Sequence, residues 1–431
     1  MTRSSAGERL DEALARIDDP KGEGARACLT VYREAARAAA AASDARAKAG
    51  VTLGELDGAL VSIKDLFDVA GEVTRAGSKA LADEGRPAVA DAPVVRRLRQ
   101  SGAVIVAKTN MTEFAFSGIG ANPHYGTPGN PADRARIPGG SSSGGAVAAA
   151  DGMCEISIGS DTGGSTRVPA ALCGIVGYKP SRLRISRDGV YPLSQSMDSI
   201  GPMARSVEDC RRADAVMSGE ARAPLPAPAL AGLRIAAAQG MPVENLDDTV
   251  GKAYAQALTR LGKAGTRLRD KALPLIESMI EVNKRGGVQP AEAFTVNRDL
   301  LDRRGSDIDP NVQARLERAR SIPAADYIWM ANERDRLIRM MDEWLADADV
   351  LVMPTCPIVA PTMAEIAAPE DFARRNAMTL RNTSVWNFFD CCAISLPLPR
   401  NGLPVGLMLV ARNGHDRELF AIATAVEPVF A

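Results

Sequence analysis

The chain has 431 residues, of which 46% are hydrophobic and 24% charged, and its formal net charge is −1. That length supports a substantial core and allows one large domain or several smaller ones. A balance so near neutral, with aromatics at only 4%, excludes an electrostatic argument for nucleic acid or an anionic membrane and offers no base-stacking platform.

Residues 7–19 and 27–48, rich in Ala, Arg and Glu with apolar residues at helical spacing, predict two N-terminal helices. No apolar signal segment is visible there and no stretch reaches the length of a membrane span, so a cytoplasmic location is expected. Leu60-Val61-Ser62-Ile63 predicts a strand. Residues 92–101 predict a helix, with Pro93 in its first turn and Gly102 closing it. A buried strand over 103–107, an Ala-rich helix over 146–151 ended by Gly152, and a strand over 154–158 follow. This alternation predicts an α/β fold built around a twisted sheet.

Residues 219–231 are proline-rich and read as a linker. A strand over 233–238 comes next, then mostly helical sequence to about 345, then a strand over 349–354. Residues 393–397 and 405–410 flank Asn401-Gly402, a hairpin signal. Because strand character resumes after the helical stretch, a single interrupted domain over 1–431 is expected rather than two independent ones. The seven cysteines are scattered and lack C-x-x-C spacing, so neither a disulfide framework nor a metal site is suggested and no metal is expected.

The chemistry concentrates in two clusters, Gly139-Gly140-Ser141-Ser142-Ser143-Gly144-Gly145 and Asp161-Thr162-Gly163-Gly164-Ser165, with Lys64 upstream in Ser62-Ile63-Lys64-Asp65. Acyl transfer needs a hydroxyl nucleophile, a base, and backbone N–H groups free to hold an oxyanion. A Ser-His-Asp enzyme would have to use His124 or His415, the only histidines. Residues 140–144 formally match G-x-S-x-G, but that elbow follows a strand, and 130–138 are polar and proline-bounded. The Gly-Lys-Ser/Thr ending of a phosphate loop is missing. Plain flexible linkers are the bland reading; two within thirty residues, bracketed by apolar runs, argue against it. Lysine as base is the remaining reading. Lys64 follows an apolar strand, where desolvation lowers its pKa, and bringing it near neutrality costs roughly 4 kcal/mol. Asp65 opposes that shift unless strand alternation sends it to the other face.

These residues resemble the amidase signature family. The likeness rests on both clusters and on Ser62-Ile63-Lys64-Asp65, Lys108-Thr109-Asn110-Met111-Thr112-Glu113-Phe114, Gly174-Ile175-Val176-Gly177-Tyr178-Lys179-Pro180 and Asp198-Ser199-Ile200-Gly201-Pro202-Met203. It is dense from about 55 to 210, resumes at 349–361 and 403–410, and is thin over 220–345. The resemblance implies a large twisted mixed sheet flanked by helices on both faces, with N-terminal helices over 1–50 and a return to the sheet over 349–431. It implies a Ser-Ser-Lys triad: Ser165 as nucleophile, Ser141 as bridging serine on a cis peptide, and Lys64 as base. The 24-residue separation of Ser141 and Ser165 is the family's spacing. By the same resemblance the N–H groups of Thr162, Gly163, Gly164 and Ser165 form an oxyanion hole, Asp161 and Arg167 brace that turn, and Ala115 and Ser117 line the acyl pocket.

The implied activity is hydrolysis of a small carboxylic amide to carboxylate and ammonia through an acyl-enzyme, without a cofactor. The alternative is the glutaminase subunit of a tRNA-dependent amidotransferase. Residues 310–315 and Ala324-Ala325-Asp326-Tyr327 look more like the general amidases. The expected partner is a small-molecule amide, with no direct contact to nucleic acid or membrane; assembly as a homodimer stays open.

Overall fold

The computed structural model describes residues 4–220, 225–399 and 402–431. Its centre is an eleven-stranded mixed sheet. In chain order the strands are β1 (Cys28–Val31), β2 (Leu60–Lys64), β3 (Val104–Thr109), β4 (Ile156–Asp161), β5 (Val176–Lys179) and β6 (Ser199–Ala204). β7 (Arg234–Gln239), β8 (Arg267–Ala272), β9 (Val350–Pro354), β10 (Cys392–Pro397) and β11 (Gly406–Ala411) complete it. Across the sheet the order is β1-β3-β2-β4-β6-β5-β10-β11-β9-β7-β8. The β3-β2-β4 and β9-β7-β8 groups are parallel, and the strands joining them pair antiparallel.

β2 to β6, β9 and β11 are buried at every position, as strands covered on both faces must be. Helices Pro93–Gln100 and Asp416–Val426 cover one face, where Val95, Leu98 and Leu419 belong to the same hydrophobic core as Val61, Ile63, Ile156 and Ile158. Ala6–Asp18, Ser143–Ala150 and Ala324–Leu345 cover the other, where Leu10, Ala146 and Leu337 lie in layers with Leu60, Val104 and Met408. Strand parity puts Lys64 on the side of Leu60 and Ser62, away from Ile63.

The predicted helix over 27–48 begins only at Arg33. Cys28-Leu29-Thr30-Val31 is instead a strand, with Thr30 opposite Lys108 and Val31 opposite Ala107. Tertiary pairing with β3 here overrides the helical bias of the alanine-rich sequence behind it. β8 lies inside the stretch read as helical. Its sequence Arg-Leu-Arg-Asp-Lys-Ala carries one large apolar residue and is mostly exposed, so it lacks the apolar run of a central strand and suits a charged sheet edge. Of the predicted linker, 221–224 lie outside the described residues, and 225–229 have neither helix nor strand. The hairpin is present as the antiparallel β10–β11 pair, with Cys392 opposite Ala411 and Pro397 opposite Gly406; Asn401 of its turn lies outside the described residues.

Candidate active site

β2 and β4 run parallel and end side by side at Lys64 and Asp161. Both glycine-serine clusters sit at those ends. Residues 137–149 and 161–170 are buried throughout, which rules out the flexible-linker reading. The first cluster turns directly into helix Ser143–Ala150. Its glycines permit an approach that no side chain allows: a Cβ on Gly144 would stand 2.4 Å from Ala27 O, and one on Gly145 would stand 2.3 Å from Ser157 Oγ. The Gly140–Ser141 peptide bond is cis.

Lys64 is wholly buried. Its Nζ donates to Ser141 Oγ at 2.7 Å and to Ser160 Oγ at 2.9 Å. Burial pulls the amine down to about 7, against the opposing charges of Asp198 and Asp161. Asp65 does not join that contact. It points away and pairs with Arg75 at 3.1 Å. Ser142 N donates to Ser165 O at 3.3 Å, which joins the backbones of the two clusters next to Ser141, and Thr112 N donates to Ser141 O at 3.0 Å. The Ser165 hydroxyl makes no hydrogen bond among the described residues.

Asp161 organises the second cluster. It accepts from Gly164 N (2.9 Å), Thr166 N (3.1 Å) and Thr166 Oγ1 (3.0 Å), and from Arg167 Nη2 at 2.8 Å and Nε at 3.1 Å. Burial alone would raise its carboxyl. The charge and hydrogen bonds of Arg167, with Asn387, override that and hold it well below the carboxylate range. Both members of the ion pair are fully buried, and the polar contacts around them satisfy the condition for a buried charge pair to be tolerated. Gly164 has φ +134°, and a Cβ there would lie 2.2 Å from Thr383 Oγ1. Its N–H is committed to Asp161. Those of Thr162, Gly163 and Ser165 have no partner among the described residues.

Four further residues act on this site that had no role assigned from the sequence, Asp198 among them although it opens one of the family-like motifs. Ser160 Oγ is the second acceptor of Lys64 Nζ, alongside Ser141 Oγ. Asp198 accepts from Thr162 Oγ1 at 2.5 Å; burial pushes it up to about 6 against the hydrogen bonds of Thr162 and of Ser194 and Leu193 N. Thr383 donates to Gly163 O at 2.6 Å. Asn387 donates to Asp161 Oδ1 at 2.8 Å and accepts from Arg167 Nη2 at 2.7 Å. Asn376, Thr379, Thr383 and Asn387 form a buried polar stripe along helix Pro369–Phe388. Their three- and four-residue spacing is the sequence signal that could have revealed them.

Ala115 and Ser117 are buried in the loop that carries Gly118, whose carbonyl accepts from Gly140 N at 2.7 Å. The Ser117 hydroxyl is engaged, donating to Asn376 Oδ1 at 3.0 Å and accepting from Ile119 N at 3.1 Å. His124 Nε2 lies 3.0 Å from Glu113 Oε2, and His415 precedes helix Asp416–Val426. Neither histidine meets a serine of the clusters among the described residues. There, too, no group of three or more His, Cys, Asp or Glu is placed to hold a metal ion, and no helix is long and apolar enough to cross a membrane.

The family model described as Amidase matches residues 9–420. The chain is 36% identical over 401 residues to 2-amino-5-chloromuconic acid deaminase of Comamonas testosteroni, covering 91% of this chain and 86% of that protein. It is 35% identical over 463 residues to a glutamyl-tRNA(Gln) amidotransferase subunit of Anaeromyxobacter sp. (strain K), covering 98% and 92%. A crystal structure of an amidase superposes with a TM-score of 0.88 at 33% identity, covering 100% of this chain and 97% of the other.

Proposed function

The chain belongs to the amidase family of hydrolases, and we propose that it cleaves a small carboxylic amide to carboxylate and ammonia through an acyl-enzyme on Ser165. One observation carries this reading: a fully buried lysine, brought near neutrality by burial, stands 2.7 Å from a serine hydroxyl at the strand ends. A solvated lysine is protonated at pH 7 and cannot take a proton.

In the neutral amine, one N–H keeps the Ser160 contact while the lone pair accepts from Ser141. Ser141 in turn takes the proton of Ser165, whose oxygen attacks the amide carbon. The developing oxyanion is held by the unengaged N–H groups of Thr162, Gly163 and Ser165. Gly164, expected to donate as well, has its N–H held by Asp161; its part in the hole is to supply the backbone turn. Ser141 returns the proton to the leaving nitrogen, the C–N bond breaks, and ammonia departs. Water then attacks the ester through the same relay, releasing the acid and restoring Ser165. Asp161 and Arg167 fix the turn, and Ala115 and Ser117 close the acyl pocket, Ser117 through its backbone since its hydroxyl is engaged.

The second reading, a glutaminase subunit, is favoured by the 35% identity to an amidotransferase subunit over nearly the whole chain. The test is ammonia release from a panel of small amides, glutamine included, by the isolated protein. Hydrolysis by the chain alone, lost by at least about a thousandfold in Ser165→Ala with the fold intact, is the expected result. Near-normal turnover in Ser165→Ala overturns the mechanism. Glutamine hydrolysis only in the presence of partner subunits and tRNA would establish the second reading.

A further inference from the structure

Ser160, which accepts from Lys64, and Thr162 stand two residues apart at the end of β4, so their side chains leave the same face. The antiparallel register that sets Asp161 opposite Ser199 brings Asp198 opposite Thr162. The Thr162 hydroxyl donates to Asp198 Oδ1 at 2.5 Å. Two residues of strand span about 7 Å, so the Lys64 amine and the Asp198 carboxylate stand at either end of a short row of two hydroxyl side chains.

Asp198 is buried at the centre of its own loop, where its carboxylate accepts from Leu193 N at 2.9 Å and from Ser194 N at 3.1 Å. A second buried carboxylate, Glu292, ties that loop to the helical region. Ser194 Oγ and Ser196 N donate to its Oε2, the latter at 3.0 Å, and Tyr327 donates to its Oε1 at 2.7 Å. Asp198 is thus fixed by neutral donors, and no cation lies within ion-pair distance of it among the described residues. Arg187 acts on its charge from further off, with Nη1 engaged by Gln195 O at 2.6 Å. The other carboxylate of the site, Asp161, is paired with Arg167 at 2.8 Å.

We propose that Asp198 is a positioning residue of the acyl-transfer site: it holds Thr162, whose N–H is one of the free donors of the oxyanion turn, and by its charge it keeps Lys64 basic enough to draw a proton from Ser141. A base serves best when its own value lies near the working pH, and burial by itself drives an amine below that point. An opposite charge nearby restores part of what burial removes. Burial lowers Lys64 to about 7, and of the charges that oppose it Asp198 outweighs Asp161. Burial raises Asp198 only to about 6, so it is an anion where Lys64 gives up its proton. The inference rests on the amidohydrolase reading and names what tunes its base.

The test is the pH profile of kcat/KM for a small amide in wild type and in Asp198→Asn. The Asn carbonyl can face Leu193 N and Ser194 N while its NH2 donates to Thr162 Oγ1, which also accepts, so the charge goes and the hydrogen bonding stays. The acid limb of the variant should have its midpoint about 0.5 to 1 pH unit lower, with a plateau about threefold lower because the base is weaker. Thr162→Val keeps the charge and removes the tether, and should lower the plateau by about tenfold without moving the midpoint down. A lowered plateau at an unmoved midpoint in Asp198→Asn would leave Asp198 a structural role alone and overturn the proposal, as would a Thr162→Val profile identical to wild type. Should the Asn variant not fold, Asp198→Ser serves for the same measurement.

A readout independent of turnover is the stability that Lys64→Met gains, followed by urea unfolding against pH. In the Asp198→Asn background that gap should begin to close about 0.5 to 1 pH unit lower than in wild type; an unchanged course also overturns the proposal. A shifted course without hydrolysis of any amide would sink the amidohydrolase reading and leave the coupling of Asp198 to Lys64 standing. Hydrolysis with an unshifted midpoint would do the reverse.

Discussion

Lys64 makes the molecule less stable in order to be a base. The unfolded lysine holds its proton up to its ordinary value of 10.5, whereas the folded one gives it up above about 7. Between those limits the unfolded chain binds more protons, so stability rises with pH. Below about 7 the full penalty applies, an upper bound of about 5 kcal/mol by linkage. Lys64→Met removes that penalty but also the hydrogen bonds to Ser141 and Ser160, so we expect it to be inactive yet about 2 kcal/mol more stable at pH 7 by urea unfolding, the gap closing as pH approaches about 10. A destabilised variant whose gap ignores pH would contradict the burial argument. In wild type, kcat/KM should climb about tenfold per pH unit below about 7 and level off above it. At this scale the sequence was informative because a lysine closing an apolar strand and two serines in glycine-rich turns are unusual locally. Ser160 was not legible: a serine in a strand has no signature until its neighbour's side chain is known.

The turn from Asp161 to Arg167 and the helix Pro369–Phe388 act as one unit. Thr383 fills the space beside Gly164, and Asn387 bridges the Asp161–Arg167 pair. Gly164→Ala places a Cβ 2.2 Å from Thr383 Oγ1 at a backbone φ of +134°. The expected cost is about 3 kcal/mol by urea unfolding, with activity lost as the turn shifts. Gly163→Ala is the control: its Cβ would meet nothing closer than 3.9 Å, so stability should change by less than about 0.5 kcal/mol. Equal stability losses in the two variants would remove the argument for a tight turn. The helix was legible as helix, but not as part of the site, because more than two hundred residues separate Asn387 from Asp161. β1 and β8 were misread because short strands beside alanine-rich or charged sequence are decided by their partners rather than by their own residues.

Across the whole molecule, strands drawn from residues 28 to 411 meet in one sheet, and helices seal both faces. The local alternation of strands and helices was readable. The order, in which β10 lies beside β5 and β9 between β11 and β7, was not, since no local pattern encodes a pairing across so many residues. The seal extends to the thiols: all seven cysteines are free and buried, and burial pushes Cys28, Cys356 and Cys391 up to about 12 and Cys154 up to about 11. Such thiols stay protonated and shielded. A thiol reagent at pH 8 should therefore label essentially none of them in the native protein and all seven in guanidinium. Rapid labelling of any one under native conditions would show that the fold opens there.

The mechanism turns on where the acyl group goes, and trapping it is the most direct test. The protein is mixed with an activated ester of an acyl group that it accepts, quenched with acid within a single turnover, and mapped by mass spectrometry. Ser141 and Ser165 share the tryptic peptide 137–167, so fragmentation must assign the position. The relay from Lys64 through Ser141 predicts acyl mass on Ser165, absent in Ser165→Ala and formed slowly in Lys64→Met. Acyl mass on Ser141, or steady turnover with no adduct at any time, would contradict it.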